Sequence, residues 1–150
     1  MDPVYNHAYF GLLPAVVVEA RWPELKVLFE DAAVHGRGEL EVDEVLEKVR
    51  SAQMIVHVLL ARGARILFVT ASRISKESSA LEVVFAAGRG GVHVLAERIE
   101  EFYACARILE VHNIRCWCRP AIARYLRRYL PGATFETGPH YVTVTKEVPA

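Results

Sequence analysis

Residues 85–94, with the sequence FAAGRGGVHV, have the composition of a loop that binds phosphate. Glycine lets successive backbone N–H groups point the same way and leaves no Cβ in the path of an anion. The helical pattern that follows would place unpaired amides and the positive end of the helix dipole beside this loop. Gly88, Arg89, Gly90 and Gly91 are therefore a candidate pyrophosphate site, and a strand-to-helix turn without a ligand is the alternative. The stretch matches neither the Walker A loop nor the GxGxxG fingerprint.

A second group of residues with chemical potential is CWC, in which Cys116 and Cys118 flank Trp117 and His112 lies upstream. On a strand, residues two apart point to the same face, so the two thiols would be neighbours. A tetrahedral zinc site needs four ligands, usually in two clusters, and the sequence offers no second cluster. We therefore expect two buried thiols and no metal.

A third group is a basic segment with interleaved aromatic residues, made of Arg119, Arg124, Tyr125, Arg127, Arg128 and Tyr129. Arginine and aromatic faces occur in proteins that bind nucleic acid, although the phosphates of a nucleotide cofactor would suit the same arginines. Because the formal net charge of the chain is zero, no overall field attracts nucleic acid or an anionic membrane. We expect neither partner.

The periodicity of apolar residues predicts the element order β-α-α-β-β-β-α-β-α-β-β. The predicted strands cover residues 11–20, 54–61, 65–74, 80–88 and 113–119, with two more in 133–148. The predicted helices cover residues 22–34, 41–52, 92–110 and 120–130. The third of these is the strongest, with an apolar side formed by Val92, Leu95, Ala96, Ile99, Phe102, Tyr103, Ala106 and Leu109.

The connections between these elements predict how the strands pair. Short connections join the strands between residues 54 and 88, which indicates an antiparallel meander. The strand at 113–119 follows a helical crossover and should lie parallel to the strand before it. The expected fold class is a single α/β domain with a mixed, mostly antiparallel sheet, a β-α-β crossover and helices on both faces.

Composition sets the remaining expectations. A chain of 150 residues with 53% hydrophobic residues suits one domain over 1–150, in which residues 1–11 form an N-terminal arm for contacts in a homo-oligomer or larger assembly. The sequence contains neither an apolar run long enough to span a bilayer nor the pattern of a signal peptide. Three cysteines form an odd set, which favours a reducing compartment, the cytoplasm.

The element order and the glycine loop resemble the GNAT superfamily of N-acetyltransferases. In that family acetyl-CoA binds at the strand-to-helix junction, and the pantetheine lies where the fourth and fifth strands splay apart. The resemblance implies that Val84, Phe85 and Ala86, together with the loop at 88–91, contact the cofactor. The family's loop usually reads Gln/Arg-x-x-Gly-x-Gly/Ala. Gly88 and Gly90 fit that pattern, whereas Phe85 stands at its leading Gln or Arg.

A closer resemblance is to the small GNAT-like proteins encoded by tailed bacteriophages. Three segments carry it, RWPELKVLFEDA, EVDEVLEKVRSAQMIVHVLLA and RCWCRPAIARYLRRYLPGA. The last is similar to a recurring pattern of those proteins at Arg119, Arg124, Leu126 and Gly132, whereas Ala121 and Ile122 replace its Gly and Trp.

The family also implies catalytic roles. Its base is often a Glu or an ordered water near the fourth strand, which points to Glu82, and its acid is often a Tyr on the helix after the fifth strand. Tyr125 is the candidate acid, although the family's spacing falls on Arg128, and Tyr129 is expected in the core. Backbone N–H groups of Phe85 or Ala86 would stabilise the oxyanion.

The function predicted from the sequence is an acetyl-CoA-dependent N-acetyltransferase, phage-like, acting on an unknown small-molecule or protein amine. The alternative interpretation of Glu82 is a solvated strand charge. The alternative function, favoured by Phe85, the displaced tyrosine and the lack of an evident acid at the acceptor site, is a catalytically inactive GNAT-fold protein with a structural or partner-binding role, such as a virion component in contact with other virion proteins.

Overall fold

The structure is a computed structural model, and it describes residues 9–33, 40–88 and 91–150. The helices in these ranges are α1 (Ala15–Ala20), α2 (Trp22–Ala33), α3 (Val42–Arg50), α4 (Gly91–Glu97), α5 (Ile99–Ile108) and α6 (Pro120–Tyr129). The strands are β1 (Tyr9–Leu13), β2 (Met54–Leu60), β3 (Ile66–Ser75), β4 (Ala80–Gly88), β5 (Asn113–Cys118), β6 (Thr134–Thr137) and β7 (Val142–Glu147). Among these residues, no helix combines the length and apolar character needed to cross a membrane.

The strands form one mixed sheet in the order β1-β2-β3-β4-β5-β7-β6. The pairs β1–β2, β2–β3, β5–β7 and β6–β7 are antiparallel, and β4–β5 is parallel. The parallel pair follows from the helical crossover between its strands, because a chain that returns through a helix re-enters the sheet in the same direction. The predicted fold class, α/β with a mixed and mostly antiparallel sheet, is confirmed.

The chain divides into two compact units. The first comprises residues 1–73 and 84–91, and the second comprises residues 74–83 and 92–150. The assignment of 1–150 to a single domain stays a prediction. Of the expected N-terminal arm, residues 9–11 belong to β1 and pair with β2, and residues 1–8 lie outside the described ranges.

The core of the first unit forms where α1, α2 and α3 pack against one face of the sheet. The predicted helices at 22–34 and 41–52 are confirmed as α2 and α3, and each buries residues at helical spacing. Leu25 and Phe29 of α2 and Val45 of α3 are fully buried. They meet the alternate residues of β2 and β3 that point to the same face, namely Met54, Val56, Val58, Val69 and Ala71.

The second unit has a smaller core beneath α6. Ala123 and Leu126 of this helix pack against Cys118 of β5 and against Val142 and Val144 of β7. Pro120 occupies the first turn of α6, as its lack of an N–H allows. The predicted boundaries of this helix are confirmed, and residues 138–141 connect β6 to β7 in an antiparallel hairpin.

The predicted first strand at 11–20 is wrong for most of its length. The strand occupies Tyr9–Leu13, and the valine-rich segment after Pro14 is the helix α1. Pro14 has no N–H to donate to a ladder, but its carbonyl accepts hydrogen bonds from the amides of Val17 and Val18. Burial of Val18 in the core outweighs the preference of valine for strands.

The single helix predicted over 92–110 is also wrong, because the chain forms α4 and α5 with a break at Arg98. Arg98 has φ −107° and ψ 22°, outside the helical range. The break also rotates the buried face, so that Val94 and Cys105 are buried although the predicted apolar side omitted both. No proline or glycine marks this position, so the sequence carries no local signal for it.

Candidate functional site

The candidate site is built on β4, whose pairing with β5 covers only part of its length. The parallel ladder runs from Ala80 opposite Asn113 to Val83 opposite Cys116. Beyond Val83, β4 continues through five more residues to Gly88. The register between β4 and β5 therefore ends at Val83.

Gly88 packs against the backbone of β3 so closely that a side chain does not fit. Its φ is +117°, and a Cβ at this position would lie 2.3 Å from the carbonyl oxygen of Leu67 and 2.8 Å from the Cα of Phe68. Both contacts are with main-chain atoms that cannot move aside cheaply. Gly91 is the first residue of α4, and Arg89 and Gly90 lie outside the described residues.

The side chains of β4 near this loop point in alternate directions. Phe85 is buried in the core of the first unit, with its ring centroid 5.8 Å from that of Phe29. Val84 is half-buried, and Ala86 is exposed. The residue that replaces the family's Gln or Arg thus has a packing role, which leaves main-chain groups as the part of Phe85 available to a ligand.

Glu82 is buried rather than solvated, with 6% of its surface exposed. The interpretation of this residue as a solvated strand charge is wrong. Its partner in register on β5 is Arg115, whose Nη1 lies 3.6 Å from Oε2 of Glu82. The Nε of Arg115 in turn donates to Oγ1 of Thr145 on β7, at 3.3 Å. A buried charge requires a partner, and this arrangement provides one.

Tyr125 is half-buried on α6, and its hydroxyl shares a hydrogen bond with Nδ1 of His93 on α4. The two rings meet edge to face, with centroids 4.2 Å apart. Burial raises the pKa of the Tyr125 phenol above its ordinary value, and nearby Tyr129 and Glu97 add to this effect. The contact with His93 joins residues 32 positions apart, so no spacing in the sequence signals it.

Tyr129 was expected in the core, and that expectation is wrong. It is 49% exposed, and its ring lies 4.4 Å from that of Tyr125. The guanidinium carbon of Arg128 lies 5.4 Å from the centre of the Tyr129 ring, and that of Arg127 lies 4.5 Å from the centre of the Phe135 ring. The basic face of α6 thus uses two of its arginines in contacts with the protein's own aromatic rings.

Cys116 and Cys118 are free thiols whose side chains lie in the same apolar cluster. The neighbouring Cys118 thiol and burial hold the pKa of Cys116 well above the ordinary thiol value, whereas the neighbouring Cys116 thiol lowers the pKa of Cys118. His112 is hydrogen bonded through Nδ1 to Oγ of Ser79, at 2.7 Å. Across the residues described, no three His, Cys, Asp or Glu side chains gather as a metal site.

No protein-family model matches this sequence, and no curated protein matches it. Solved structures do match it. The spermidine N-acetyltransferase from Vibrio cholerae, solved in complex with CoA and spermine, is 10% identical with a TM-score of 0.66, over 95% of this chain and 96% of that one. The GNAT domain of S. lividans PAT is 11% identical with a TM-score of 0.63, over 93% and 90%. The chain therefore has the GNAT fold.

Proposed function

We propose that this protein is an acetyl-CoA-dependent N-acetyltransferase that acts on a primary amine. The observation that carries the proposal is the hydroxyl of the half-buried residue Tyr125, hydrogen bonded to His93, on the helix that follows β5 of a GNAT fold. Transfer of an acetyl group to an amine requires a group that protonates the departing thiolate and a group that removes a proton from the amine. Tyr125 and Glu82 are the proposed acid and base.

The proposed cofactor contacts are the backbone of Val84, Phe85 and Ala86 and the loop of Gly88, Arg89, Gly90 and Gly91. The structure describes residues 84–88 and 91 of this set, and residues 84–88 suit the amides of the pantetheine and the phosphates of coenzyme A. The register between β4 and β5 ends before these residues, and Ala86 and Gly88 are small and exposed. When bound, acetyl-CoA supplies the activated acetyl group. Backbone N–H groups of Phe85 or Ala86 are the proposed donors to the thioester oxygen.

Tyr125 suits the role of acid because burial favours its neutral form. Its raised pKa keeps the phenol protonated throughout the neutral pH range, and only the protonated form can donate. The hydrogen bond to His93 fixes the direction of the hydroxyl, which removes rotational freedom from the donor. His93 is thus a proposed positioning residue.

Glu82 suits the role of base because it is a carboxylate on β4 that is held in place. Arg115 fixes its orientation from the neighbouring strand, at 3.6 Å. Glu82→Gln keeps the shape of the side chain and removes its capacity to accept a proton from an amine. We expect this variant to lose about 100-fold or more in kcat.

A thiol-release assay with acetyl-CoA and a panel of primary amines tests the proposal. Spermine and spermidine belong in the panel because matching structures are spermidine N-acetyltransferases. We expect Tyr125→Phe to lower kcat by about 100-fold or more, since it removes the donated proton together with the hydrogen bond to His93 and keeps the ring. Tyr129→Phe, one turn further along α6 and exposed, is the matched control and should keep wild-type turnover.

Equal turnover in the wild type and Tyr125→Phe would remove this residue from the mechanism. Binding of acetyl-CoA without turnover on any amine would instead favour the alternative, an inactive GNAT-fold protein with a structural or partner-binding role. That alternative, the phage-like origin and the virion role stay predictions from the sequence resemblance.

A further inference from the structure

Cys116 and Cys118 lie on one face of β5, beneath α6. They pair in register with Val144 and Val142 of β7, and the surrounding side chains are apolar. Both side chains belong to the same apolar cluster, and Sγ of Cys118 lies 3.8 Å from the carbonyl oxygen of Val142. Cys118 is buried, whereas Cys116 is partly exposed. The pair is therefore a dithiol with apolar walls and one accessible side.

Strand geometry decides what this dithiol can do. Alternate residues of a strand lie about 6.6 Å apart, and their side chains point the same way. A disulfide needs Cβ atoms about 3.5–4.5 Å apart, so closing one here would require β5 to buckle. In contrast, with a metal–sulfur bond of about 2.3 Å, two sulfurs on opposite sides of one ion are about 4.6 Å apart. Two cysteine side chains that point the same way from alternate strand positions can place their sulfurs at that distance.

We propose that Cys116 and Cys118 bind one soft monovalent metal ion of the Cu(I) class in two-coordinate geometry. Thiolate sulfur selects Cu(I), whereas magnesium and calcium require oxygen ligands. Zinc requires four ligands, and the described residues supply no third His, Cys, Asp or Glu to this pair. Cu(I) accepts linear coordination by two ligands, which two sulfurs in apolar surroundings can provide.

Binding is a ligand exchange without a change in oxidation state. Two metal–sulfur bonds replace the bonds of the incoming ion to its previous ligands, and each thiol that becomes a thiolate releases its proton to water. Tyr125 packs against the same apolar cluster, so a bound ion lies in the core that supports this residue. The site itself is independent of the proposed acetyltransferase activity.

An anaerobic competition titration of Cu(I) against bathocuproine disulfonate tests the proposal. We expect the wild-type protein to take one equivalent of Cu(I) from the competitor. Loss of an outer-shell partner costs about 10- to 100-fold in metal affinity, so Cys116→Ser and Cys118→Ser, which each remove a ligand, should each lose more than about 100-fold. Cys105→Ser is the matched control, because Cys105 is a buried free thiol on α5, and it should bind as the wild type does.

The proposal is overturned if the wild type takes no Cu(I) from the competitor, or if Cys105→Ser weakens binding as much as the other two variants. X-ray absorption of the Cu(I)-loaded wild type provides a measurement that needs no variant. Two sulfur neighbours in linear geometry are expected, and a coordination number of three or four would contradict the two-coordinate site. Circular dichroism of each variant separates loss of a ligand from loss of the fold.

Discussion

At the residue scale, Gly88 shows that one glycine of the candidate phosphate loop has a structural task. A side chain there would collide with the main chain of β3, and the φ of +117° is one that other residues rarely adopt. The first glycine of FAAGRGG, Gly88, is thus required by the close packing of two backbones. Substitution of Gly88 is for this reason a poor test of phosphate binding.

We expect Gly88→Ala to destabilise the protein by about 2 kcal/mol or more, through strain in φ and the clash with Leu67. Gly63→Ala is the matched control, because Gly63 also has a positive φ, of +78°, but nothing lies within 4 Å of its Cβ position. It should cost only about 1 kcal/mol. Urea denaturation of both variants measures the difference, and equal losses would show that the contact with β3 is unimportant.

His57 is a second residue whose environment has a measurable consequence. It is 1% exposed on β2, stacked on Phe10, and burial lowers its pKa from 6.5 to about 4. His57 is therefore protonated below about pH 6.5 in the unfolded chain, but only below about pH 4 in the folded chain. Stability is accordingly complete above pH 6.5 and falls as the pH is lowered, by up to about 3 kcal/mol at pH 4.

His57→Leu should remove this contribution. We expect its unfolding free energy to depend less on pH between 6.5 and 4, by about 1.4 kcal/mol per pH unit at most. Above pH 7 the two proteins should show the same slope, which serves as the internal control. If the unfolding free energies of the wild type and His57→Leu change in parallel between pH 6.5 and pH 4, folding does not lower the pKa of His57.

Several residues of the site could be identified from the sequence, but their environments could not. Glu82 and Tyr125 follow from their elements and the family resemblance, whereas the burial of Glu82 and its contact with Arg115 depend on strand register. Register is set by tertiary packing. The hydrogen bond from Tyr125 to His93 joins two helices that no sequence pattern relates.

At the element scale, the boundary at Pro14 separates what sequence patterns could and could not predict. The strand ends before Pro14, but the predicted strand ran through this residue because three successive valines favour β structure over the helix that forms. Helices α2, α3 and α6 were predictable because their apolar spacing and terminal residues agree. Helix α1 has six residues, too few for a periodic pattern to be distinguished.

A pair of valine substitutions tests this helix. Val16 is 74% exposed on α1, and Val16→Ala should stabilise the protein by about 0.5 kcal/mol because alanine is the better helix former. Val18 is fully buried, and Val18→Ala should destabilise it by about 2 kcal/mol. Thermal unfolding measures both effects. Destabilisation by Val16→Ala would indicate extended structure in this segment.

At the scale of the whole molecule, the order of elements was the most predictive property of the sequence. The eleven predicted elements stand in a recognisable order, which defines the fold even though one strand and one helix are misassigned. The reason is that the crossover fixes the parallel pair β4–β5. The division of the chain into two compact units was not predictable. Residues 74–83 of the second unit lie in the chain between two segments of the first, and this division depends on contacts rather than on composition.

Calorimetric titration of acetyl-CoA into the protein tests the central claim most directly, because binding requires no knowledge of the amine. We expect one molecule to bind with micromolar affinity. Gly90→Glu should abolish binding because it adds a negative charge to the proposed phosphate loop, and Gly63→Glu, with the same charge in the turn between β2 and β3, should leave binding intact. Absence of both heat and thermal stabilisation at millimolar acetyl-CoA would contradict the account.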